Sequence, residues 1–232
     1  MRSSTAARTL IGVLVGAALV GLPATSASTA PVSTHNPVTV EGGERPENDP
    51  SQPPPTSPTA YEFGETLAKL EGEDLEITFM AGIIPHHRAA IEMAELELER
   101  GQNADIRTHA ENIIANQQHQ IDQFTRWLDE WYGLTPEEAM EQAPREAQRE
   151  MATMERETQE DMAKLEQVPA GAEFDVEFVR MMIPHHSAGI IEFLEPQSRA
   201  PHAELRVAAA TGIINQEAEI ADFRTWLGAL DR

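Results

Sequence analysis

The sequence predicts an all-α fold: a four-helix bundle built from two duplicated helical hairpins, with a further helix connecting them. Two observations carry this expectation. The segment Ile83-Ile84-Pro85-His86-His87 recurs 99 positions later as Met182-Ile183-Pro184-His185-His186. The register then holds without a gap, pairing Asn116-Gln117 with Asn215-Gln216, Phe124 with Phe223 and Trp127-Leu128 with Trp226-Leu227. Upstream, Phe79 pairs with Phe178 and Glu76 with Asp175. A self-match of this length at constant offset marks one unit duplicated and fused. The second observation is periodicity. Phe79, Ile83, Ala90 and Ala94, and then Ile106, Ala110, Ile113, Gln117, Ile121, Phe124 and Leu128, recur at helical steps, while strand signals are nearly absent. Each copy therefore reads as a His-bearing helix, a short turn and a longer return helix, and two such hairpins make a bundle.

From the start of the chain, residues 1–30 have the form of a secretion signal. Arg2 and Arg8 precede an apolar run from Leu10 to Leu22, and Ala24-Thr25-Ser26-Ala27 offers a small-residue cleavage site. That run is shorter than the roughly 20 residues needed to span a bilayer. Residues 31–60 are rich in Pro, Ser, Thr and Glu, and are expected to form a disordered spacer. The duplicated domain is expected over 61–232, with repeat one at 75–130, the connecting helix at 135–167 and repeat two at 174–230. Thr135-Pro136-Glu137-Glu138 is the start signal of the connecting helix, and Pro144 is expected to kink or restart it.

Composition narrows the function classes. The formal net charge is −22, and loss of two signal arginines takes the exported chain near −24. This argues against nucleic acid and, once the signal is cleaved, against anionic membrane as partners. The chain has no cysteine, which excludes disulfides, thiolate metal sites and a lipid-anchored N-terminus. Glycine-rich phosphate loops and a Ser/His/Asp arrangement are absent. An enzymatic reading finds neither an open coordination position nor a substrate pocket in the sequence.

Four imidazoles are what the duplication concentrates. Pro85 and Pro184 fall inside helical patterns directly before the two His-His pairs, where each should free a carbonyl and bend its helix. Adjacent helical residues point about 100° apart. With Phe79, Ile83, Ala90 and Ala94 buried, His87 and His186 are expected to face each other across the bundle, with His86 and His185 nearer its rim. Met181 and Met182 lie one turn before His185 and His186, and a thioether with an imidazole suits copper, above all Cu(I). Gln117 and Gln216, with Gln120 and Glu219 three residues on, are candidate hydrogen-bond partners that would fix imidazole tautomers. No carboxylate stands three residues before any paired histidine, as the di-iron Glu-x-x-His pattern requires.

These motifs resemble the family catalogued as domain of unknown function 305, described as ferritin-like. Its F-x-x-x-M-I-P-H-H-x-x-A-I-x-M-A repeat is matched by Phe178, Met182-Ile183-Pro184-His185-His186 and Gly189-Ile190. In the first copy it is matched by Phe79, Ile84-Pro85-His86-His87, Ala90-Ile91 and Met93-Ala94. Its Q-x-x-E-I and W-L elements are matched by Gln216, Glu219-Ile220 and Trp226-Leu227. The first copy departs from the pattern at Ile83, for methionine, and at Gln120, for glutamate. The resemblance implies a ferritin-like bundle and copper handling in the cell envelope.

The expectation is therefore a secreted or envelope metal-binding protein that sequesters or buffers copper, with zinc and iron as other metals. Its ligands are expected to be His185 and His186 with Met181 or Met182, joined by His86 and His87, and supported by Gln117, Gln216 and Glu219. The alternative is a metal-free helical interaction module of the envelope whose histidine pairs are structural. A homo-oligomer is compatible with either.

Overall fold

The structure is a computed structural model that describes residues 52–230. The expected signal and the spacer up to residue 51 lie outside the described residues. Seven α-helices and one π-helical turn account for nearly all of the described chain, and no strand occurs among the described residues. The all-α expectation holds. In order, the helices are α1 (Pro58–Lys69), α2 (Gly72–Arg100), α3 (Ala104–Trp127), α4 (Pro136–Gln142), α5 (Arg145–Leu165), α6 (Ala172–Arg199) and α7 (Ala203–Leu230), with the π turn at Leu128–Tyr132.

Each hairpin forms as the repeat predicts, α2 against α3 and α6 against α7, and the two hairpins meet along α2 and α6. Side chains show the return helices α3 and α7 to run antiparallel. The Gln120 side-chain amide lies 3.4 Å from the Ala208 carbonyl, and His109 lies 3.9 Å from Asp222. Helices α1, α4 and α5 pack around this unit, α1 on α6 and α5, and α4 on α2. Thr135 caps α4 with a reciprocal capping box to Glu138, and Pro144 separates α4 from α5. Pro85 and Pro184 sit inside helices that continue through them.

Helix α1 carries the same start signal as α4. The Ser57 hydroxyl accepts the Thr59 amide, Pro58 occupies the first turn, and Phe63 and Leu67 are buried one turn apart. It is also the first-repeat counterpart of the end of α5. Arg199 donates to the Leu67, Ala68 and Leu70 carbonyls at the end of α1, and Arg100 donates to the Glu166 and Val168 carbonyls at the end of α5. Gly72 and Gly171, also 99 apart, both take positive φ where these helices break. The duplicated unit is thus three helices long, α1–α2–α3 and the end of α5 with α6 and α7.

The core divides into two apolar clusters. One gathers Phe63, Phe79, Phe124 and Phe193 with the start of α7. The other gathers Phe174, Phe178, Met182 and Phe223 with the start of α3. The first uses the N-terminal half of α2 and the C-terminal half of α6, and the second uses the other halves. The histidine pairs lie between them, so the polar residues form a layer across the middle of an otherwise apolar interior.

Candidate metal centre

All four histidines of the repeated motif come together where α2 crosses α6. His87 and His186 are fully buried, whereas the His86 side chain keeps 10% of its exposure. The rings that meet across the axis are His86 and His185, stacked with centroids 3.9 Å apart and planes inclined by 33°. This corrects the expected pairing of His87 with His186. Residues 75–84 of α2 are all buried. With every side covered by neighbours, the apolar stripe could not tell which imidazole faces the symmetry mate.

His87 and His186 turn instead to their own return helices. His87 Nε2 lies 2.7 Å from Gln120 Oε1, and His186 Nε2 lies 2.6 Å from Glu219 Oε2. Gln120 and Glu219 occupy matched positions of the two copies. One imidazole is therefore held by an amide and the other by a carboxylate, the difference noted as a departure in the first copy. Gln117 and Gln216 are buried in the same layer, but the structure gives them no hydrogen bond to an imidazole, and the Oε1 atom of each has no partner.

Sequence reasoning missed Glu192. It is fully buried, one helical turn and a half beyond His186 on the same helix, and its Oε1 lies 3.2 Å from His86 Nδ1. No sequence pattern marked it, because its place beside His86 follows from how α2 and α6 meet. Burial pushes the Glu192 carboxyl up to about 8. Burial also holds the imidazoles down. His86 falls well below its ordinary value through burial and then through His185, His87 and His186. His185 falls likewise through burial, then His186 and His87. His87 drops to about 4, burial outweighing the opposing Gln120 hydrogen bond. These three rings are neutral at pH 7, the form that ligates metal.

The layer is rich in unsatisfied nitrogen. His86 Nε2, both nitrogens of His185, His87 Nδ1 and His186 Nδ1 are buried without a hydrogen-bond partner. A buried polar atom left unpaired costs about 1–3 kcal/mol, and native structures rarely collect several without a reason such as an ion. Among the described residues, no three His, Asp or Glu side chains converge as a formed coordination sphere. The stacked rings of His86 and His185 would have to turn to share an ion.

The two candidate methionines separate. Met182 is fully buried in the apolar cluster of Phe178 and Phe223. Met181 is half-buried and lines a cavity of about 440 Å³ that also reaches His86 and His185. Among the described residues, no helix is long and apolar enough to cross a membrane.

Comparison with known proteins agrees with the fold. No curated protein matches the chain. A solved structure of CopM in the Cu(II)-bound form is 25% identical with a TM-score of 0.53, covering 66% of this chain and 97% of CopM. CopM in a co-crystallised silver-bound form is 25% identical with a TM-score of 0.54, covering 66% and 96%. A DUF305 fragment from Deinococcus radiodurans, 24% identical with a TM-score of 0.50, covers 76% of this chain and 99% of its own. The family description "Domain of unknown function (DUF305)" matches residues 76–227, which begin at the buried Glu76 and end at Leu227 of the terminal Trp-Leu pair, and the chain belongs to the DUF305 family.

Proposed function

We propose that this protein binds copper in the histidine layer between its two repeats and sequesters or buffers the ion outside the cytoplasm. The observation that carries the reading is the set of buried imidazole nitrogens without partners, at the one level where both copies of the duplicated motif meet. The copper-bound and silver-bound states of CopM support a soft or borderline metal. The signal-like first 30 residues support export. The proposed ligands are His185 and His186 with Met181, joined by His86 and His87. Met182 is a weaker donor because it is fully buried and is not among the residues lining the cavity that reaches His86 and His185. Gln120 and Glu219 orient the two inner rings, as outer partners of ligating histidines do.

The test is native mass spectrometry of the exported protein with copper, zinc and iron offered in turn. The expected result is a stoichiometric mass shift with copper that the His86→Ala/His87→Ala/His185→Ala/His186→Ala variant lacks. A second reading is favoured by the hydrogen bonds that already satisfy one nitrogen of His87 and one of His186. In it, the layer is a structural device of a metal-free interaction module. Wild-type protein that takes up none of the three metals would establish that reading instead.

A further inference from the structure

The cavity that opens beside His86 and His185 is walled by three methionines from three different helices, Met93 of α2, Met154 of α5 and Met181 of α6. Methionine used as filler goes to the interior, as Met80 and Met182 do, each fully buried. Met154 and Met181 instead remain half-buried on the wall of an opening, while Met93 forms its buried floor. Both ring nitrogens of His185 are buried without partners on the same cavity.

The duplication supplies an internal control. The first-copy counterpart of Met181 is Gly82, and a Cβ there would lie 2.7 Å from the Phe63 ring, so that side is closed by an aromatic. The second-copy counterpart of Met93 is Glu192, the buried carboxyl beside His86. Pseudo-symmetry is therefore broken in one direction, with thioethers on the open side of the stacked rings and an oxygen donor on the closed side. The mouth is acidic. Glu157, Glu160, Asp161 and Glu177 line it, while its two cations, Lys164 and Arg180, are each taken up by an acid of the same set at 2.7 Å.

We infer that this cavity is the entry and first docking site for a soft monovalent cation, Cu(I) or Ag(I), held by Met93, Met154 and Met181 and handed to His185. Acidic residues draw the cation to the mouth, thioethers select a soft ion over calcium or magnesium, and the unpartnered imidazole lies behind them. The inference deepens the copper reading above and rests on it.

Silver ion is the probe, because it is air-stable and monovalent, and its affinity is read by competition in chloride-free buffer on the exported protein. Met93→Leu/Met154→Leu/Met181→Leu conserves volume well enough to keep the fold, which circular dichroism checks. The expected result is at least a tenfold loss of Ag(I) affinity, while Met80→Leu, fully buried in the other apolar cluster, behaves as wild type. Wild-type silver affinity in the triple variant, with loss in the four-histidine variant, overturns the port and leaves the copper reading standing. Absence of both silver and copper uptake by the wild type removes both. If the triple variant misfolds, Met154→Leu alone, at a half-buried wall position, is read by the same competition. A drop in affinity supports the port, and wild-type affinity overturns it.

Discussion

Gly189 shows how closely the histidine layer is fitted. It lies inside α6, where glycine costs about 1 kcal/mol relative to alanine, and the first copy places Ala90 at the matched position. A Cβ on Gly189 would fall 2.6 Å from Gln216 Oε1 and 3.0 Å from His86 Nε2. The missing methyl is what lets the glutamine and the imidazole pass. Gly189→Ala should destabilise the protein by about 1–3 kcal/mol through overpacking. It should also displace His86, weakening copper uptake in the mass-spectrometric titration. Unchanged chemical stability together with wild-type uptake would show that the layer has slack the structure does not suggest. The four histidines were legible as residues because the motif repeats. Which of them would stack was not, because direction on a helix covered all round is set by tertiary neighbours.

Among the elements, the turns that join helices were only partly readable. Thr135-Pro136 announced α4 and Pro144 its end. The equivalent Ser57-Pro58 signal of α1 lay at the edge of proline-rich sequence, where composition masked it. The α2–α3 turn hides a feature that no pattern marks. Glu97 is fully buried under it, in space left by Gly101, whose Cβ would clash at 1.9 Å. Burial first, and then the Asp175 carboxylate beside it, raises the Glu97 carboxyl to about 8, against a smaller opposing effect of Arg107. A carboxyl whose folded value is raised stabilises the protein while protonated. That contribution is present below the ordinary value of 4.5 and is lost as pH rises to about 8. Glu97→Gln keeps the shape and removes the titration. The fall in denaturation midpoint between pH 5 and pH 8.5 should therefore be smaller in the variant than in wild type. Equal falls would mean that Glu97 is charged in the folded protein at neutral pH.

For the whole molecule, the two repeats are latched to each other by exchanged carboxylates. Asp175 of the second copy accepts the Gln102 and Asn103 amides at 2.9 and 3.0 Å, closing the α2–α3 turn of the first. At the matched positions, Glu76 of the first copy accepts the His202 amide at 2.8 Å and its Nδ1 at 2.6 Å, closing the α6–α7 turn of the second. The self-match had paired Glu76 with Asp175, but a sequence offset cannot reveal that each serves the opposite copy, since this follows only from the antiparallel meeting of α2 and α6. Each copy therefore needs the other to finish its own hairpin, and both apolar clusters draw on all four repeat helices. Unfolding should accordingly be one cooperative event. Removing the Asp175 carboxylate orphans two backbone amides, at a cost of about 1–3 kcal/mol. Trp127 reports on the first copy and Trp226 on the second, whereas Trp131 stacks on His202 of the second copy. In Asp175→Ala, fluorescence from a variant retaining only Trp226 and from one retaining only Trp127 should shift to the same lower midpoint, coincident with circular dichroism. Loss of the first-copy signal ahead of the Trp226 signal would show that the hairpins melt separately, and the histidine layer between them would then not be held by a single folded unit.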